Sequence, residues 1–313
     1  MKNVSLFRIV YIAFLLCGLR VDAIVAVTDP IDSTEGGSGT VWSPITSGDN
    51  DDYLNDKQTG TSGNIVGSVD TNQAAFYSAF DDNGSTSNED GTLGFRLRLG
   101  KGTGQNNTGF GSYVFIGLEL DGDVPIDMYI IIDAKTTKDA FDGSIGFYEA
   151  TGGSTANISP SSTSIANQPL FAQEAFTSSN YNFQPVNNLE FNTNSDLNDN
   201  GEDYFMTASL DFAQLVAAAG RLADSITVTD QTPIRYMVAT SQNKNNINED
   251  INGLDGEVNS AMSWSDLSSM EGGGLTPQYY PDGTPVPEPS SYALMFGTLA
   301  GIVVLFRRRR SLC

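Results

Sequence analysis

The chain has 313 residues, with 38 acidic side chains against 16 basic ones, no histidine, two cysteines and a formal net charge of −22. Without imidazole there is no Ser-His-Asp triad, no Cys-His pair and no histidine-ligated zinc, and the acidic balance repels nucleic acid and anionic lipid. The length suits one large all-β domain or two small ones, and with no internal repeat and no proline-rich linker before residue 276 one domain is the reading.

The first residues read as a secretory signal peptide, residues 1–23. Lys2 and Arg8 precede the apolar run Ile9 to Leu16, and small residues near Val21-Asp22-Ala23 place cleavage after Ala23. Cys17 leaves with that peptide, and Leu16 stands where a lipidation site would want a small residue. Over 24–286, nine basic residues remain of 16 once Lys2, Arg8, Arg20 and Arg307 to Arg310 are set aside. Without Asp22 and Glu288, 36 acidic residues remain of 38, a net charge of −27. Such a surface attracts divalent cations.

Residues 24–275 read as one extracellular β-domain, an antiparallel sandwich or jelly roll with long loops. Leu93, Phe95, Leu97 and Leu99 alternate with Thr92, Gly94, Arg96 and Arg98, which predicts a half-buried strand with its arginines outward. Tyr113–Leu120 and Ile126–Ile132 are nearly all apolar and read as adjacent central strands, joined by a hairpin-type turn at Asp121-Gly122-Asp123. Weaker strand signals fall at Asn64–Val69, Gln73–Phe80, Ser144–Glu149, Leu189–Phe191, Tyr204–Leu210, Ser225–Val228 and Ile234–Thr240. One short helix is predicted after Asp211, its N-cap, with Phe212, Leu215, Val216 and Ala219 on one face and Gly220 as a left-handed stop.

Among the loops, Asp196, Asn198 and Asn200 place oxygen side chains at alternate positions before Gly201, with Asp203 close behind. This matches the first half of an EF-hand calcium loop; the second half fails, because Thr207 stands where a bidentate glutamate belongs. Ca2+ is the one cofactor these residues suggest, since oxygen-only ligands suit a hard cation. Asp121, Asp123 and Asp127 repeat the carboxylate spacing, but Val124 and Pro125 interrupt it, and the stretch reads as a plain hairpin turn rather than an ion site. Trp42 and Trp264 could stack on sugar rings or pack in the core.

Residues 276–286 read as a stalk, and the last 27 residues as an address. Pro287-Glu288-Pro289 comes first, an uncharged apolar segment 291–306 follows, and Arg307, Arg308, Arg309 and Arg310 close the chain. A helix over the apolar segment satisfies its own backbone in lipid, the arginines hold their end in the cytoplasm, and the prolines keep the preceding chain extended. This tripartite tail resembles the PEP-CTERM protein-sorting signal of Gram-negative bacteria that make exopolysaccharide. The resemblance covers only the tail. It implies export by the Sec machinery, an inner-membrane intermediate, and recognition and removal of the tail by an exosortase, a membrane-embedded cysteine transpeptidase-like enzyme. Delivery to the cell surface or extracellular matrix follows from the same resemblance.

The sequence therefore reads as an exported, non-catalytic surface or matrix protein associated with exopolysaccharide. A calcium-stabilised carbohydrate-binding module is the alternative. A secreted carboxylate-dependent glycosidase or lyase stands third, because the sequence shows no nucleophile motif and its many carboxylates make pairs by chance.

Overall fold

The computed structural model describes residues 25–29, 39–46, 63–68, 73–100, 110–122, 126–135, 142–152, 156–157, 162–188, 196–197, 201–244, 247, 249–253 and 275–287. The signal-peptide segment, the expected strand at 189–191, Trp264 and the tail beyond Pro287 lie outside them.

Eleven strands are placed: β1 (Ser43–Pro44), β2 (Phe76–Asp81), β3 (Thr92–Leu99), β4 (Tyr113–Glu119), β5 (Met128–Asp133), β6 (Ser144–Glu149), β7 (Glu174–Ala175), β8 (Tyr181–Pro185), β9 (Tyr204–Asp211), β10 (Arg235–Ser241) and β11 (Asp250–Ile251). They form a five-stranded sheet in the order β1-β2-β3-β9-β8 and a six-stranded sheet in the order β11-β10-β4-β5-β6-β7. Every pairing is antiparallel. The fold is thus all-β with two sheets and one described helix. The two apolar runs are adjacent as expected, in a register that sets Val114 opposite Ile132 and Leu118 opposite Met128.

Alternation decides what goes between the sheets. Leu93, Phe95, Leu97 and Leu99 of β3 join Val114, Ile116 and Leu118 of β4 and Met128, Ile130 and Ile132 of β5 in one buried cluster. Phe76 and Phe95 of the first sheet close on Tyr236 of the second at ring distances of 5.8 Å, and on each other at 5.7 Å. The opposite faces are covered too. On the six-stranded sheet Phe115, Tyr129, Ile131, Tyr148 and Met237 form a second apolar cluster with Ile247, Ile251 and Leu275. On the five-stranded sheet Val25 and Trp42 join Tyr77, Ala79 and Phe205.

That last cover corrects one expectation. Arg96 and Arg98 do lie on the face of β3 away from the inter-sheet core, but both are completely buried rather than outward in solvent. The N-terminal segment lies over Gly94, where an added Cβ would stand 2.5 Å from a Val25 methyl. Arg96 stacks on Trp42 at 4.1 Å. Its Nε donates to Thr207 Oγ1 at 2.9 Å, and its Nη2 donates to the carbonyls of Val27 and Asp29 at 3.2 and 2.7 Å. Each buried donor that finds an acceptor avoids the cost of desolvation without a partner.

The helix α1 (Phe212–Ala219) forms where expected. Asp211 Oδ1 accepts from Ala213 N at 2.9 Å, and Phe212, Leu215, Ala218 and Ala219 are buried. Gly220 does not supply a left-handed stop: its φ of −64° and ψ of −14° are right-handed, and its N–H bonds back to Val216. Ser225–Val228 forms no strand, and Asn64–Val69 contributes only single bridges at Ile65 and Ser68.

Candidate functional site

The β4–β5 turn gathers carboxylates. Gly122 adopts φ +91°, which turns the chain sharply, and its N–H donates to Glu119 Oε1. Asp127 Oδ2 accepts from Leu120 N at 2.7 Å, and Asp127 N donates to Leu118 O at 2.9 Å. These bonds swing the side chains together, so that carboxylate oxygens of Glu119, Asp121 and Asp127 all lie within 4.8 Å of one another. No other described group of three acidic or cysteine side chains does so. Glu119 is buried, Asp127 half-buried and Asp121 exposed, so the cluster opens to solvent on one side. Arg235 Nε stands 3.7 Å from Glu119 Oε2 and offsets part of the charge. Three oxygen donors so close together match the chemistry of a hard cation such as Ca2+. Asp121 and Asp127 were visible in the sequence as a spaced pair, while Asp123 lies outside the described residues. Glu119 was missed because it ends an apolar strand; its place two residues before Asp121 was the available signal.

The loop read as half an EF-hand is arranged differently. Asp196 is half-buried, Asn198 and Asn200 lie outside the described residues, and Gly201 takes φ +107°. Asp203 is completely enclosed with Arg98. Its Oδ2 accepts from Arg98 Nη2 at 2.8 Å, Arg98 Nε at 3.1 Å and Leu197 N at 3.1 Å. Its Oδ1 is buried and makes no hydrogen bond. Burial pushes the Asp203 carboxyl above its ordinary range; Arg98 and the Leu197 amide pull it back without winning, and Asp196 adds to the rise. The structure brings Asp203 to an arginine and encloses its second oxygen.

A cavity of about 330 Å3 opens beside the end of β2, lined by Phe80, Asp81, Asp82, Asp230, Gln231 and Asp282. Asp81 and Asp82 spend an oxygen each on the amides of Asn83 and Gly84 at 2.7 and 2.8 Å. The aromatic candidates divide. Trp42 is buried beneath Arg96 and offers no face to a sugar ring. Burial raises the phenols of Tyr129, Tyr181 and Tyr236, so none of them is a phenolate base near neutral pH.

Residues 276–286, read as a stalk, are hydrogen-bonded into the domain. Ile234 and Tyr279 exchange backbone bonds at 2.8 and 2.9 Å, Thr276 N donates to Tyr236 O at 2.9 Å, and Ser78 Oγ donates to Pro281 O at 2.7 Å. Pro287 is exposed at the edge of this segment, while Glu288, Pro289, Arg307, Arg308, Arg309 and Arg310 lie outside the described residues. Among the described residues no helix is long and apolar enough to cross a membrane; 291–306 is not among them.

The fold and its loops define an acidic two-sheet β-domain, and no family is set by that part of the chain. The tail is more specific: the family model for the PEP-CTERM protein-sorting motif matches residues 285–310. No curated protein and no solved structure matches the chain. The tail thus carries the sorting motif, which marks the chain as one exported and sorted by an exosortase.

Proposed function

We propose that this is a non-catalytic protein of the cell surface or extracellular matrix, whose β-domain takes part in an exopolysaccharide layer after its tail is removed. It passes through an inner-membrane stage held by 291–306 before an exosortase processes it. The observation that carries the reading is the sorting motif at 285–310, which overlaps only the last three described residues. Two further features support it: the chain has no histidine, and Trp42 is spent on packing. Calcium enters as a stabilising ion, held by the carboxylates of Glu119, Asp121 and Asp127 or by the loop of Asp196, Asn198, Asn200 and Asp203. It would relieve the repulsion that a strongly acidic chain feels when it folds.

The test is mass spectrometry of surface material from the native cell. The main species should lack Arg307 to Arg310. Replacing Pro287-Glu288-Pro289 by alanines should leave the tail intact and the protein in the inner membrane. Intact tails on surface-exposed parent protein would reduce the segment to a plain anchor.

A further inference from the structure

The segment that leads into the Pro287-Glu288-Pro289 triplet is a clasp joining the two sheets. On the six-stranded side Thr276 and Tyr279 bond to Tyr236 and Ile234, the latter just ahead of β10; Tyr236 N also donates to Thr276 Oγ1 at 2.9 Å. On the five-stranded side the Tyr279 hydroxyl accepts from Thr46 N and donates to Thr46 O, both at 3.2 Å, just past β1. Ser78 of β2 holds the carbonyl of Pro281. The chain then folds back on itself, with Tyr280 N donating to Thr284 O and Val286 N to Gln278 O, each at 2.9 Å. Tyr279 is 4% exposed. The next residue after Val286, Pro287, is exposed and begins the triplet.

We propose that this clasp sets the inner limit of tail processing: the cut falls beyond Val286, and residues 276–286 stay in the mature domain as the fastening of one open edge of the sandwich. The proposal rests on the exosortase reading above. A processing enzyme takes its substrate as an extended, unpaired strand. Backbone already hydrogen-bonded on both sides, as over 276–286, must open locally before it can enter such a cleft, and Pro287, the first exposed residue after it, needs no such opening. Whether the acceptor is water or an amine, the step breaks one peptide C–N bond. The acyl group passes to the acceptor, and the acceptor's proton goes to the departing nitrogen. The clasp restricts which bond that is. It also explains why the address needs no spacer: the fold delivers Pro287 at its own edge.

The experiment reads the C-terminus of the surface form by intact-mass and terminal-peptide analysis of the full chain expressed in its native cell. Termini at Val286 or later are expected; a dominant terminus upstream of Val286 overturns the proposal. A Ser78→Ala/Tyr279→Phe variant weakens the clasp on the five-stranded side without touching the tail. Its share of chains ending within 276–285 should rise severalfold, and Tyr279→Phe alone should fall between it and the parent. An unchanged single terminus in the double variant overturns the proposal. The alanine triplet separates the two readings. If the tail is lost as readily without the triplet, the sorting reading fails. If loss requires the triplet but the cut falls upstream of Val286, only the clasp fails.

Discussion

Among the described residues two buried carboxylates stand beside arginines, one on each sheet, and they are built to opposite ends. Asp203, where β9 begins, is sealed with Arg98, neither side chain exposed. Glu119, at the end of β4, is as deeply buried, but its Arg235 is 37% exposed and 3.7 Å away, and Asp121 beside it lies in solvent. A closed pair of the first kind is structure: the charges answer each other and break at high cost. An open group of the second kind keeps a path to solvent ions. The same residue types become fastening or ligand according to what covers them.

The comparison breaks most sharply at Asp203. Asp203→Ala leaves Arg98 charged in a dry site and should cost about 3–5 kcal/mol, read as a drop in urea midpoint. Replacing both partners, Arg98→Met with Asp203→Leu, should return the protein to parental stability or exceed it by about 1–4 kcal/mol. Equal losses in the single and double variants would mean that packing, not charge, holds this corner.

Calcium should act on the open site. At one hundred times the dissociation constant a bound ion contributes about 2.7 kcal/mol, roughly 5–10 °C in a domain of this size. Thermal melts of the parent with and without millimolar calcium should show such a rise. Its loss in Asp121→Asn places the ion in the β4–β5 turn, and its loss in Asp196→Asn places it in the other loop. Equal rises in all three proteins would mean screening alone.

A smaller effect is expected at Arg235. As a partly exposed pair with Glu119 it is worth about 0–1 kcal/mol. Arg235→Gln should therefore melt close to the parent without calcium and gain more from calcium, since one competing positive charge is gone. A large loss without calcium would make this pair structural like the first.

The finest difference is a slope. Burial raises the Asp203 carboxyl above its ordinary value of 3.8, so the folded state takes up that proton before the unfolded chain does. As pH falls from neutral through the raised value toward 3.8, Asp203 contributes increasing stability, present in full below 3.8 and lost as pH rises. Measured against Asp203→Asn over that window, the parent should gain as pH falls. A parent that loses ground instead would mean Arg98 holds the carboxyl low.

Much of the fold was legible because period two is a local signal. Leu93 to Leu99 named the core face of β3, and the apolar runs 113–120 and 126–132 became β4 and β5 as neighbours. Alternation names a face but not what lies on it. The cover over Arg96 comes from Val27, Asp29 and Trp42, more than fifty residues earlier, so its burial could not be read from β3 itself. β1, β7 and β11 span two residues each, too few for any period. Ser225–Val228 has the right composition for a strand but pairs with none. Asp203 was visible as an oxygen ligand; its arginine, 105 positions away, was not.

The strand order also bears on how fast the domain forms. β3 finds its inner neighbour β9 only across a gap of more than a hundred residues, as the Arg96–Thr207 separation of 111 positions shows. β4 waits similarly long for β10, with Tyr113 paired to Ser241. Neither sheet is complete until the chain's second half arrives. Such non-local topologies fold slowly, on the order of milliseconds to seconds for small domains and longer for larger ones, with β2–β3 and β4–β5–β6 exposed meanwhile as incomplete sheets. Unpaired strand edges at that stage invite association between chains. The mutual repulsion of molecules with a net charge of −22 keeps such half-built sheets apart while the late strands come in.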